Sequence, residues 1–114
     1  MSCWELKPKS INEVRNVVVD FQWKLSSGEL LTGTPTVTSV PTGLTFASIV
    51  VNTVAVVVNG ITAAIGEAVQ FRISGGTAGT RYTLMIACGT NATPAQTLEA
   101  IDDNQNRPQI EVTN

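Results

Sequence analysis

The sequence predicts an all-β protein: a single antiparallel β-sandwich of about seven or eight strands over residues 17 to 114, preceded by an N-terminal arm, residues 1 to 16. Three observations predict it. Short runs alternate apolar and polar residues with period two, as strands with one buried face do. Glycine, proline and asparagine separate these runs at regular intervals. A glycine-rich stretch, Ser74-Gly75-Gly76-Thr77-Ala78-Gly79, leads into a long alternating run that carries Tyr82 near its start. No heptad or internal repeat is visible.

The arm contains Pro8 and a scattered Trp4, Leu6, Ile11 and Val14 without a period. It is expected to hold a short strand or turn and to pack on a neighbour or on its own domain. Lys7, Lys9 and Arg15 alternate with Glu5 and Glu13, which reads as a solvated or partner-facing surface. Residues 17 to 25 form the clearest strand of the first half, with Val17, Val19, Phe21, Trp23 and Leu25 on one side and Asp20, Gln22 and Lys24 on the other. On this reading Trp23 is the large aromatic filler of the core. Residues 26 to 29 turn the chain, and a second strand runs through residues 35 to 40 to the Pro41-Thr42-Gly43 turn. A third covers residues 44 to 51 and a fourth residues 53 to 58. Asn59-Gly60 is a strong hairpin signal, after which residues 61 to 65 continue in short extended form. Val69, Phe71 and Ile73 alternate with Gln70 and Arg72 in the next strand. Residues 97 to 101 and 109 to 112 are expected to close the sandwich as a pair around a polar loop.

Thr80, Tyr82 and Leu84 share one side of an extended segment, so the Tyr82 ring enters the core while its hydroxyl reaches back to upstream backbone. Gly75, Gly76 and Gly79 supply the sharp turn before it. This is the tyrosine corner of immunoglobulin-like sandwiches. Gly79-Thr80-x-Tyr82-Thr83-Leu84 resembles the matching corner of fibronectin type III domains. Residues 69 to 86 look like a segment that recurs in small structural proteins of tailed bacteriophages, a resemblance that extends loosely over residues 17 to 90 and includes Pro41-Thr42-Gly43-Leu44-Thr45. Members of that group often end in a glycine- and charge-rich hairpin, whereas this chain has Thr90-Asn91-Ala92-Thr93-Pro94 and then Asp102-Asp103-Asn104-Gln105-Asn106. The resemblance implies an immunoglobulin-like fold and a place in a virion, not a chemistry.

Composition narrows the function. The 114 residues suit one domain, 43% of them are hydrophobic and only 14% charged, so threonine, serine, asparagine and glutamine must carry the solubility. A net charge of −2 gives no basic stripe for nucleic acid. No apolar run reaches the roughly 20 residues of a membrane helix, and the first nine residues lack the apolar segment of a secretory signal, so synthesis in the cytoplasm and no membrane contact are expected. In that compartment Cys3 and Cys88 are expected as free thiols, Cys88 buried on the face of Tyr82.

The chain has no histidine, which removes the usual general base and the commonest zinc ligand, and it has no phosphate-binding loop. Paired carboxylates, Asp102 with Asp103 or Glu67 with Glu99, have no apolar setting that would raise one pKa. Residues 102 to 106 lack the glycine and acidic twelfth ligand of a calcium loop. No enzyme activity, metal or cofactor is expected.

One feature goes beyond the fold. Residues 30 to 66 contain no charged side chain, and residues 54 to 58 leave neither strand face polar. Such a strand is either covered on both faces or lies against another molecule. The expected function is therefore that of a non-enzymatic virion protein, present in many copies or as a homo-oligomer, that binds other virion proteins as a capsid decoration or as a neck or tail accessory. Trp4, Leu6, Val54, Val56 and Val58 are its candidate partner contacts. The alternative, an adhesion module binding through residues 90 to 94 and 102 to 108, calls for exposed aromatic residues in those loops, and the sequence has none.

Overall fold

The alternation at residues 68–75 and 80–90 builds the central strands of two facing sheets. The structure is a computed structural model that describes Leu6 and residues 8–58, 60–101 and 106–113, without the Val58 side chain. Its strands are β1 (Lys9–Ser10), β2 (Arg15–Asp20), β3 (Leu31–Val40), β4 (Leu44–Val51), β5 (Val56–Val58), β6 (Ile61–Ala63), β7 (Ala68–Gly75), β8 (Thr80–Thr90), β9 (Thr97–Glu99) and β10 (Gln109–Thr113). One sheet has the order β1-β10-β8-β3 with β9 also on β8, the other has β2-β7-β4, and β5 and β6 form a separate ribbon. The chain is an all-β sandwich, and β2, β7 and β4 occupy the B, E and D positions of an immunoglobulin sandwich, with β3, β8 and β10 at C, F and G.

The core lies between the sheets. Val17 and Val19 of β2 and Val69, Phe71 and Ile73 of β7 face Tyr82, Leu84, Ile86 and Cys88 of β8 and Ile110 and Val112 of β10, all buried. Each such aliphatic side chain taken from water contributes roughly 1.5–3 kcal/mol. Phe46 of β4 closes one side, edge-on to Phe71 with ring centroids 5.9 Å apart. The outer strands β3 and β4 carry register irregularities, between Thr32 and Thr36 and between Ala47 and Val50. Such bulges blunt exposed edges against further pairing.

The corner forms as expected. The Tyr82 ring is 1% exposed, and its hydroxyl accepts a hydrogen bond of 2.9 Å from the Thr77 backbone N–H. Gly75, Gly76 and Gly79 have φ of 77°, 100° and 82°. Gly76 has a second reason to be glycine, because a Cβ there would lie 2.8 Å from Val112 Cγ2 and 3.0 Å from Leu44 Cδ2.

Four features depart from the alternation. The run that begins at Val17 ends at Asp20, whose carboxylate accepts the Gln22 backbone N–H (2.9 Å) and side-chain amide (2.6 Å). This side-chain-to-backbone bonding turns the chain into a 3₁₀ turn, Gln22–Lys24, and Trp23 is 44% exposed rather than filling the core. The fourth expected strand shrinks to β5, since residues 53 and 54 bend. Instead of pairing with each other, β9 and β10 pair one after the other along β8, at residues 87–89 and 80–83. Finally, Lys9 is not solvated. It is fully buried in β1, which runs parallel to β10, and its ammonium donates to the carbonyls of Ser10 and Gly75, each at 2.7 Å. The second half of the arm is thus part of the domain.

Candidate partner-binding site

Three connections meet at the end of the sandwich opposite the tyrosine corner: residues 21–30, 52–67 and 91–96. Backbone bonds hold them together. Phe21 N–H donates to Glu67 O at 2.8 Å, Leu31 N–H to Gly66 O at 2.8 Å, and Asn91 N–H to Leu30 O at 3.0 Å. The Asn91 side chain returns the last bond by accepting the Leu30 N–H at 2.9 Å.

Asn52 organises the middle connection. Its side chain is 1% exposed, and its Oδ1 accepts the N–H groups of Gly66 (3.0 Å), Glu67 (3.1 Å) and Ala68 (3.0 Å). Its Nδ2 donates to the carbonyls of Val54 and Ala64, both at 2.9 Å. One amide therefore closes both ends of the segment that carries β5 and β6. Sequence reading left Asn52 as the break between the expected third and fourth strands; the available signal was a lone amide between two apolar runs, where buried backbone groups need a partner.

The segment that Asn52 fastens is an apolar ribbon. Val56 pairs with Ala63 and Val57 with Thr62. Ala63 is buried and Val56 half-buried, so this pair faces the sandwich, while Val57 (68% exposed) and Thr62 face outward. Val54, Ile61 and Ile65 around them are 62%, 50% and 59% exposed, and Leu30 beside Gly66 is also exposed. Gln22 reaches across to the Thr62 carbonyl at 3.4 Å.

The charged groups near this surface have partners within the chain. Both Asp20 oxygens are taken by Gln22. Glu29 accepts the Ser26 N–H at 3.0 Å and the Gln96 amide at 2.9 Å, and the Ser26 bond foremost holds its carboxyl below the usual carboxylate range. Glu67 accepts the Ala64 N–H at 3.0 Å. The Lys24 ammonium lies 5.2 Å from the centroid of the Trp23 ring. Beside Glu29, an open cleft of about 280 Å³ is lined by Ser26, Ser27, Gly28, Asn91, Ala92 and Gln96, all small or polar.

Among the expected contacts, Val54 is at this end and exposed, and Val56 faces inward. Val58 lies in β5, and its side chain is outside the described residues, as is Trp4. Leu6 is elsewhere. Its N–H donates to Gln109 O at 3.3 Å, and its side chain packs against the core beside an open cleft of about 160 Å³ with Val17 and Ile110.

Among the described residues, the chemistry-bearing side chains do not converge. Glu67 serves Ala64, whereas Glu99 pairs with Arg107 at 2.8 Å; Asp102 and Asp103 are outside the described residues. No group of three or more histidine, cysteine, aspartate or glutamate residues that could hold a metal occurs among the described residues. Cys88 is free and buried, its thiol donating to Thr32 O at 3.4 Å, and burial pushes its pKa up, away from thiolate reactivity; Cys3 is not described. No helix is long and apolar enough to cross a membrane among the described residues. No protein-family model matches the chain, and neither a curated protein nor a solved structure does.

Proposed function

We propose that this chain is a non-enzymatic structural protein of a tailed-bacteriophage virion that binds other virion proteins, as a capsid decoration or as a neck or tail accessory. The observation that carries the reading is the loop end itself. Exposed valine and isoleucine side chains cluster there on a ribbon without charge, and the neighbouring carboxylates are engaged within the chain. A surface of this kind recognises apolar protein, since residues 30 to 66 carry no charge with which to grip nucleic acid. The virion assignment rests on the resemblance at the Gly75 to Tyr82 corner.

Mechanistically, the sandwich is a rigid block. The loop end supplies apolar contact, and the arm, fastened through β1, supplies a second contact. Contacts added between subunits stabilise a particle by mass action, without catalysis. The test is co-sedimentation of the purified chain with assembled capsids and, separately, with tails of its source virus. Stoichiometric pelleting at a number set by particle symmetry is expected with one of them. Pelleting with neither, together with binding to host cells, refutes the virion reading and points to adhesion.

A further inference from the structure

We infer that the free edge of β2 pairs with β2 of a second copy of this chain, antiparallel about a two-fold axis at Val18, joining the two β2-β7-β4 sheets into one. The inference concerns a strand edge that the loop-end reading does not use, and it does not depend on that reading.

Hydrogen-bond parity defines what the edge offers. Phe21 N–H donates to Glu67 O at 2.8 Å, in the register that sets Val19 opposite Val69, Val17 opposite Phe71 and Arg15 opposite Ile73. Alternate residues of an antiparallel strand bond to the same side. The odd-numbered residues of β2 therefore turn their N–H and C=O groups to β7, and Asn16, Val18 and Asp20 turn theirs outward. β2 has no second neighbour in its sheet, and no backbone bond takes up these outward groups among the described residues. The edge is accessible, because the open cleft of about 160 Å³ beside it is lined by Arg15, Asn16, Val17 and Val18 together with Leu6 and Ile110. An immunoglobulin sheet carries one more strand in this place, beside its B strand. Here β1 pairs with β10 of the other sheet instead.

The remaining edges are protected and this one is not. β3 and β4 are broken by register irregularities, and β1 and β9 are only two and three residues long. β2 runs unbroken from Arg15 to Asp20 without glycine, proline or lysine. A regular edge of that length is a template for another strand.

Charge selects which strand. Val17 and Val19 are buried, so the outer face of β2 presents Asn16, Val18 and Asp20. A two-fold axis at Val18 sets Val18 opposite its mate and Asn16 opposite Asp20, the one register in which all three outward residues find partners. On the far side of Asn16 lies exposed Arg72 of β7, whose Nε donates to Asn16 Oδ1 at 3.2 Å. Across the seam the row then reads Arg72, Asn16 and Asp20 of the second copy, and symmetry repeats it. Asp20 already accepts two bonds from Gln22, but each carboxylate oxygen has a second lone pair for the incoming guanidinium. The start of each strand, where Glu13 pairs with Arg15 at 3.2 Å, falls beside the end of the other, which leads to Asp20 and Lys24. Both signs occur at each end, so no row of like charge forms. The edge is complementary to itself, as a two-fold interface requires.

Sedimentation equilibrium of the full chain tests the inference. A mass twice the 12.1 kDa of one chain is expected at high micromolar concentration. Val18→Lys opposes two ammonium groups and should weaken the dimer at least about tenfold, with an unchanged circular dichroism spectrum. Arg72→Glu, which sets two carboxylates in one row, should weaken it as well. Bonded cross-strand pairs have Cα atoms about 5.5 Å apart, within the span of a disulfide. Val18→Cys in a Cys3→Ser background should therefore give a covalent dimer on mild oxidation. A mass of 12.1 kDa at every concentration overturns the inference, as does a dimer that tolerates Val18→Lys and does not cross-link. Amide exchange at Asn16, Val18 and Asp20 should slow as concentration rises. Exchange that is slow in the monomer, and speeds up when residues 1 to 5 are removed, gives the edge to the start of the same chain and overturns the second copy.

Discussion

Replacing Asn52 by alanine removes five side-chain hydrogen bonds, but the groups left behind are not equally exposed to the loss. The Gly66 N–H keeps a bond to the Asn52 carbonyl at 3.2 Å, and the Glu67 N–H keeps one to Ala64 O at 3.1 Å. The Val54 and Ala64 carbonyls belong to exposed residues and can turn to water. The Ala68 N–H is different, because Ala68 is 0% exposed and Asn52 Oδ1 is its acceptor at 3.0 Å. One buried orphan donor costs about 2 kcal/mol, and the bonds exchanged for water add about 1 kcal/mol, so the expected loss is about 3 kcal/mol. For a domain of this size that lowers the melting temperature by about 12 °C. Urea unfolding followed by tryptophan fluorescence and by circular dichroism measures it, and coincident transitions justify a single free energy. Asn52→Asp is the companion variant. It keeps the acceptor for three N–H groups but turns an oxygen toward the Val54 and Ala64 carbonyls that Nδ2 served, so it should be destabilised near neutral pH and recover stability as acid supplies a proton to donate there. A loss for Asn52→Ala below about 0.5 kcal/mol, the range of ordinary surface substitutions, would refute the idea that this amide holds the loop end.

Tyr82→Phe removes the bond to Thr77 N–H while keeping the buried ring, and should cost about 1 kcal/mol in the same unfolding assay. Gly76→Ala forces a Cβ to 2.8 Å from Val112 at a φ of 100°, and should cost about 3 kcal/mol or prevent folding, read from the yield of soluble protein and its melting temperature. Glu29 titrates below its ordinary value of 4.5 in the folded chain, so its stabilising contribution is present above the unfolded pKa and disappears as pH falls through the folded one. Glu29→Gln should therefore flatten the acid side of the stability profile relative to wild type, measured as melting temperature against pH from about pH 5 downwards.

The fold was legible where one face of a strand is buried and the other is not. Val69, Phe71 and Ile73, and Tyr82 through Cys88, have the alternation that two facing sheets impose, and glycines mark the corner between them. Cys88 was equally legible, since it continues the buried face. Trp23 shows where pattern fails: the apolar period runs past Asp20, but an aspartate that bonds the N–H two residues on prefers a turn to a strand. Lys9 failed for a related reason. Charge density described the arm as solvated, yet two backbone carbonyls supply what a buried ammonium needs, and no periodicity reports on carbonyls. The loop end was half legible. Absence of charge over residues 30 to 66 marked the region, but Asn52, which shapes it, draws its acceptors' partners from residues 14 to 16 positions away, beyond the reach of any local pattern.

The parallel pairing of β1 with β10, with Lys9 bonded to Gly75 and Thr113 Oγ1 donating to the Lys9 carbonyl at 3.4 Å, has a mechanical consequence. A pull applied upstream of residue 9 and downstream of residue 113 acts along both strands in opposite senses. The ladder and the lysine clip then carry the load together, in shear, instead of opening one bond at a time from an end. The arm is fastened where tension between its two ends is hardest to relieve.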